Sequence, residues 1–343
     1  MANECIYQAD AKEAQDILLS EANKQEWLVR YQSYADTIIS NLESIKANFR
    51  RLNQWTPLKF YLNVTNAKKS KKITRFEARY LGQTVAELTS SINGVTISTK
   101  PSKERDFEKN NLRDFGCNIS LREAAWSGKE AAGFRAFFKN REPVRNNAPD
   151  NKGNEEHRIE SLLLTAFAQD KQKPLPNIKP ITIGGFRFPM PTPISASKHG
   201  KTSYAKQFGG GIDIFARTGT GGRATYLCVI EVKDENNPAE PPSHAIQQAI
   251  KYSVFIRELL RSSAGADWWK LFGFGGAIPI KLLIHAVCAM PDDKNADVSF
   301  AGQNLMIGND VIQLNYIFFT EDNNEVTDIR TSLSYGKQAK VFT

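Results

Sequence analysis

Cysteine is scarce in this chain and carries no pattern. Cys5, Cys117, Cys228 and Cys288 are the only four in 343 residues, and no two stand in a Cys-x-x-Cys spacing. That argues against a disulfide framework or a zinc site. Cys228 and Cys288 fall inside apolar runs, where free thiols behave as small buried hydrophobes. The four histidines, His157, His199, His244 and His285, show no metal-ligand spacing either. His285 lies in mid-strand and is expected to be a satisfied core residue. Long hydrophobic runs are also missing. The longest apolar candidate, residues 278–290, is broken by Lys281 and His285 and is too short to span a membrane. The first ten residues lack a basic-then-apolar signal, so a soluble cytoplasmic chain with no membrane partner is expected. Gly273-Phe274-Gly275-Gly276 is not a phosphate loop, because the Lys-Ser/Thr pair and its spacing are absent. No internal repeat is present.

What remains is an ordinary globular composition with a basic balance. A hydrophobic content of 41% and an aromatic content of 10% support packed cores, and the length allows two domains. The net charge of +8 and pI near 9.2 favour a polyanionic partner, which bears on association and not on fold.

Residues 8–54 read as helix, with Tyr31, Ile38, Leu42, Ile45, Phe49 and Leu52 on one apolar face. Residues 60–64, 73–81 and 95–97 are strand-like, and Asn93-Gly94 is a turn signal. Residues 120–139 read as helix. The polar, turn-rich stretch 146–154 is the best linker, and it divides the chain into an α+β domain over 1–148 and a second domain over 149–343. In the second, helix 155–168 precedes strands at 181–188, 211–216 and 226–232, with residues 218–222 as a hairpin-type turn. A helix over 244–260 follows, with Ser243 as its N-cap, then strands at 280–289 and 311–319. Such an order suits an α/β fold with a mixed sheet flanked by helices.

The chemistry concentrates between Gly211 and Tyr252. Asp213 sits in one short apolar run; Glu231 and Lys233 end another. Residues two apart on a strand face alike, so Glu231 and Lys233 emerge together. Two carboxylates and a lysine at strand ends are costly to gather without a task. Phe208-Gly209-Gly210-Gly211 lets backbone approach closely or gives Asp213 room. Trp268-Trp269 reads as a packed cap.

On these residues the chain resembles the PD-(D/E)XK nuclease superfamily over about residues 155–320. Asp213 matches the motif aspartate and Glu231-Val232-Lys233 the (D/E)XK element. Gln248 and Tyr252 look like a Gln-x-x-x-Tyr motif. Ile212 stands where a proline often precedes the aspartate. The resemblance implies a restriction-endonuclease-like fold and metal-assisted hydrolysis of a phosphodiester. Asp213, Glu231 and the Val232 main-chain carbonyl would hold Mg²⁺, with Mn²⁺ able to substitute. Lys233 would orient the attacking water or stabilise developing charge, and Gln248 and Tyr252 would contact phosphate or brace the ligands. An upstream helical glutamate is also implied. Glu156 and Glu160 share a helix face, and Glu160 is preferred because a denser apolar run follows it.

The N-terminal half resembles no family. Lys68, Lys69, Lys71 and Lys72 form a basic loop between two strand candidates, followed by Arg75 and Arg79 with Phe76 and Tyr80 interleaved. The four lysines are candidates for phosphate contacts, or for a solvated loop. The expectation is a Mg²⁺-dependent DNA endonuclease, with restriction or phage defence among its candidate roles and a homodimer left open. The alternatives are a nucleic-acid-binding protein that keeps the fold without the chemistry, and a nuclease acting on RNA or branched DNA.

Overall fold

A computed structural model describes residues 7–65, 73–99, 115–139, 155–169, 178–198, 201–207, 209–221, 224–233, 241–292, 296–322 and 325–333. Helices α1 (Gln8–Leu19) and α2 (Glu21–Leu52) open the chain. Strands β1 (Lys59–Leu62), β2 (Thr74–Tyr80), β3 (Gln83–Ser91), β4 (Gly94–Ser98) and β5 (Ala124–Ala125) follow, then α3 (Ala132–Lys139) and α4 (Glu155–Gln169). Next come β6 (Lys179–Pro180), β7 (Met190–Thr192), β8 (Ile194–Lys198), β9 (Lys201–Tyr204), β10 (Gly210–Ile212), β11 (Ile214–Gly221) and β12 (Ala224–Val232). After α5 (Pro242–Arg261) and α6 (Gly265–Leu271), the described chain ends with β13 (Leu283–Pro291), β14 (Asn304–Ile307), β15 (Asp310–Asp322) and β16 (Glu325–Thr331). Among the described residues, no helix is long and apolar enough to cross a membrane.

Packing divides the chain into two compact units. The first holds residues 1–35, 162–181 and 189–343; the second holds 36–161 and 182–188. These are not the consecutive halves 1–148 and 149–343, and the stretch 146–154 lies outside the described residues. The difference has a packing cause. Ala11, Ala14 and Leu18 of α1 are fully buried, and α1 packs on α5. The Trp27 ring stands 6.0 Å from Phe255, and Tyr31 stands 4.9 Å from Phe255 and 6.0 Å from Trp268. The helix expected over 8–54 is broken at Ser20, where ψ is 134°.

In the first unit the sheet runs β6-β11-β12-β13-β15, with β14 and β16 both on the outer edge of β15. β11 is antiparallel to β12, while β12, β13 and β15 are parallel neighbours. Parallel neighbours need a crossover, and α5 and α6 supply it between β12 and β13. Nearly all of α5 is buried, because the sheet covers one side and α1 and α6 cover others. Strand β13 is buried over seven consecutive residues, the pattern of a strand covered on both faces. Trp268 and Trp269 are buried as a packed cap, Trp269 stacking on Phe274 at 4.1 Å. Helix α5 is capped by Pro241, with Pro242 in its first turn. Ser243 lies inside the helix and is not the N-cap, because proline at the first helical position forgoes only an amide hydrogen that would go unused.

The second unit contains an antiparallel meander, β1-β2-β3-β4-β5. Along β2, Thr74, Phe76, Ala78 and Tyr80 are buried on one face; on the other Arg75 is exposed and Glu77 half-buried, but Arg79 is buried, so the strand is covered on both faces at its C-terminal end. Two expected elements are absent here. Residues 181–188 are not a strand: Ile183 and Phe186 exchange main-chain hydrogen bonds around Gly184 and Gly185. Both glycines have positive φ, 59° and 95°, as a tight mirror-image turn requires. Residues 120–131 are not helical either. Ala124 and Ala125 pair with β4, and the chain then turns at Gly128, where the Arg135 guanidinium donates to the Trp126 and Gly128 carbonyls. Only 132–139 forms helix.

Candidate functional site

The site is built where the first unit's chain changes partners. Strand β10 pairs with β7, and β11 pairs with β12. The bend between β10 and β11 falls on Asp213. Its Oδ2 accepts a 2.8 Å hydrogen bond from the main-chain N–H of Val232. Ile214 is paired with Ile230, so Asp213 stands level with Glu231, one step along. The two carboxylates therefore lie side by side on neighbouring chains, at the C-terminal end of β12. Glu231 is fully buried and Lys233 is 6% exposed. The Lys233 main-chain N–H donates to Ala289 O at 2.9 Å, which extends the β12–β13 ladder beyond Glu231 and keeps Glu231 and Lys233 on one face.

Helix α5 brings Gln248 and Tyr252 to this place. Gln248 Nε2 approaches the Tyr252 hydroxyl at 3.4 Å. Burial pushes the Tyr252 phenol up, and the neighbouring Glu231 and Asp213 carboxylates push it further, so that hydroxyl stays protonated near both acids. Its other partner is the main chain of Ala196. A Cβ at Gly210 would run into the Tyr252 hydroxyl, and one at Gly209 into the Ile194 main chain. These glycines allow close backbone approach. Lys251, the residue before Tyr252 on α5, is fully buried and pairs instead with Asp10 at 3.3 Å and Glu13 at 3.2 Å.

The helical glutamates belong to the second unit. Glu160 is buried, 3.7 Å from the Arg79 guanidinium and 3.3 Å from His157 Nδ1. Glu156 is half-buried. The structure thus gives Glu160 a charge partner within its own unit and brings together Asp213, Glu231, Lys233, Gln248 and Tyr252 in the other. Lys68, Lys69, Lys71 and Lys72 lie outside the described residues, as does His199. His285 is fully buried in β13. Its Nδ1 is 3.1 Å from the Asn315 side-chain amide, which also donates to Gln313 O. That amide is therefore the donor, Nδ1 the acceptor, and the ring proton sits on Nε2.

Among the described residues, no group of three or more His, Cys, Asp or Glu side chains is placed to hold a metal ion. Two carboxylates and a main-chain carbonyl remain, all hard oxygen donors. Mg²⁺ characteristically takes one or two carboxylates and keeps several waters, so the donor chemistry fits that ion. The contribution of Gly209, Gly210 and Ala196 to the Tyr252 hydroxyl was not legible in the sequence beyond the glycine run itself. The same holds for Lys59, Tyr61 and Arg187, which gather around Arg79 in the second unit. Their only trace was the alternation of charged and apolar residues in β1 and β2.

Compared with models of known families, with curated proteins and with solved structures, the chain matches none, so a family reading rests on the residues of the site and the order of the elements around them.

Proposed function

We propose that this protein is a metal-dependent nuclease of the PD-(D/E)XK type that hydrolyses DNA phosphodiester bonds. The observation that carries the reading is that Asp213, held by the Val232 N–H at 2.8 Å, stands level with the buried Glu231 on the neighbouring strand, with Lys233 two residues beyond Glu231. The element order around them supports it: a helix, an antiparallel strand pair ending in the acids, then a helical crossover to a parallel strand.

Asp213, Glu231 and the Val232 carbonyl would hold Mg²⁺, which when bound stabilises phosphate charge and acidifies water. Asp213 is oriented by the hydrogen bond from the Val232 N–H, which fixes its carboxylate beside Glu231. Lys233 supplies a positive charge near the attacked phosphate and orients the water. Tyr252, protonated at any working pH, would donate its hydroxyl toward the acids or the phosphate, with Gln248 beside it at 3.4 Å. Glu231 and Lys233 are withdrawn from water and so would act in a medium where each charge counts for more.

The test is direct. Purified protein is incubated with circular duplex and circular single-stranded DNA, with Mg²⁺ or with EDTA. Nicking or linearisation of circles that needs Mg²⁺ supports the reading and makes the enzyme an endonuclease. Intact circles under every condition, alongside DNA binding, would favour a binding protein without the chemistry.

A further inference from the structure

Two consecutive residues of α2, Arg30 and Tyr31, hold the segment of chain that delivers Asp213. Both belong to the first unit, and the chemistry proposed above does not use them. The Tyr31 hydroxyl donates to the Pro191 carbonyl of β7 at 2.6 Å. Burial pushes the Tyr31 phenol up, so it remains a donor. Pro191 stands opposite Gly211 of β10. Proline has no N–H to offer a neighbouring strand, and its carbonyl is tied to helix α2 instead. Arg30 takes the segment that enters β10. Its Nη1 donates to Ala205 O at 3.2 Å and to Gln207 O at 3.1 Å, and its Nη2 to Ala205 O and the Tyr204 hydroxyl, each at 3.2 Å.

These tethers matter because the β7–β10 pair is a sheet of only two strands. Such a pair is marginal by itself, so its place depends on what it is tied to. β10 ends at Ile212, and Asp213 is the next residue of the chain. The Val232 N–H holds the Asp213 carboxylate; the backbone that delivers it is held by Arg30 and Tyr31. The helix end of the tether is itself fixed. Trp268 Nε1 donates to Tyr31 O at 3.2 Å, and the Tyr31 ring stands 4.9 Å from Phe255, on the same helix as Gln248 and Tyr252. One short stretch of α2 thus refers the strand that leads to Asp213 to the helix that carries Tyr252.

We propose that Arg30 and Tyr31 are positioning residues for the acid pair, and that through β7 and β10 they set the approach of Asp213 to the Val232 N–H and to Glu231. The catalytic consequence rests on the nuclease reading, but the first measurement below does not.

Hydrogen exchange at single amides is measured on the protein in EDTA. The Val232 N–H donates to Asp213 Oδ2 and reports where that carboxylate lies. The Lys233 N–H donates to Ala289 O and reports the β12–β13 ladder. Tyr31→Phe and Arg30→Gln should each speed exchange at Val232 by about 5-fold, the scale of one lost hydrogen bond, and leave Lys233 unchanged. Tyr34→Phe, which removes a different hydroxyl from the same helix, should change neither. A substitution that merely lowers stability would speed both amides alike. In Mg²⁺, both variants should nick circular duplex with kcat lowered about 10-fold and KM unchanged. Equal changes at Val232 and Lys233, or none at Val232, would overturn the proposal, as would wild-type kcat in both variants. If Val232 alone responds but the wild type cleaves nothing, the nuclease reading falls and the positioning of Asp213 by Arg30 and Tyr31 stands.

Discussion

The Asp213 carboxylate accepts its 2.8 Å hydrogen bond from the Val232 N–H, so the first acid of the site is tied to the strand that carries the second. A shift of β12 would move both together. The two acids are thus a unit, and the substitutions that test them should separate chemistry from folding.

Asp213→Asn keeps an oxygen that can accept from Val232 but removes the charge. It should fold with an unchanged melting temperature and lose cleavage by at least about 100-fold, the scale of losing one preorganised charge-stabilising group. Glu231→Ala should also abolish cleavage while DNA binding persists, since removing one of two adjacent carboxylates relieves their repulsion. Wild-type rates in either variant, measured by nicking of circular duplex, would reduce these residues to strand-end acids.

Tyr252→Phe removes the hydroxyl that lies near both acids. Cleavage is expected to fall by about 10-fold, the lower range for loss of a group that braces metal ligands, with little change in fold. Gly210→Ala should destabilise the protein, because its Cβ meets that hydroxyl. The double variant should recover part of that loss, and a thermal double-mutant cycle measures the coupling. Strict additivity would show that Gly210 and Tyr252 do not meet.

His285 predicts a pH effect on stability alone. Burial pushes its imidazole down to about 4 from an ordinary value of 6.5. The folded state keeps it neutral where the unfolded chain would protonate it. Stability tied to this group is therefore intact above pH 6.5 and falls as pH drops toward 4, by about 3 kcal/mol. Urea titrations at pH 7.5 and pH 4.5 should show a larger loss for the wild type than for His285→Phe. Equal losses would mean that the ring is not buried neutral.

Glu160 is expected to serve the second unit's fold. Glu160→Gln leaves the buried Arg79 with less counter-charge and should cost about 1–3 kcal/mol in chemical denaturation. The Mg²⁺ concentration for half-maximal cleavage should not move. A shifted Mg²⁺ requirement at unchanged stability would instead assign Glu160 to the metal.

Much of the site's chemistry was legible in the chain, because it is local. Glu231 and Lys233 share a face by the period of an extended strand, and Gln248 and Tyr252 by one helical turn; both follow from backbone geometry and need no tertiary information. The apolar runs around Cys228 and Cys288 marked the buried strands for the same reason. Tertiary packing decided the rest. Side chains far apart in sequence set the unit limits: Trp27 and Tyr31 lie against Phe255 and Trp268, so the first 35 residues join the C-terminal strands. Residues 181–188 had the composition of a strand, but Gly184 and Gly185 could take positive φ and turned the chain back on itself. Glu160 looked like its neighbour Glu156 until Arg79, eighty-one positions earlier, gave it a buried ion pair. Periodicity reports which face a side chain is on; which charge waits on that face depends on how distant segments pack.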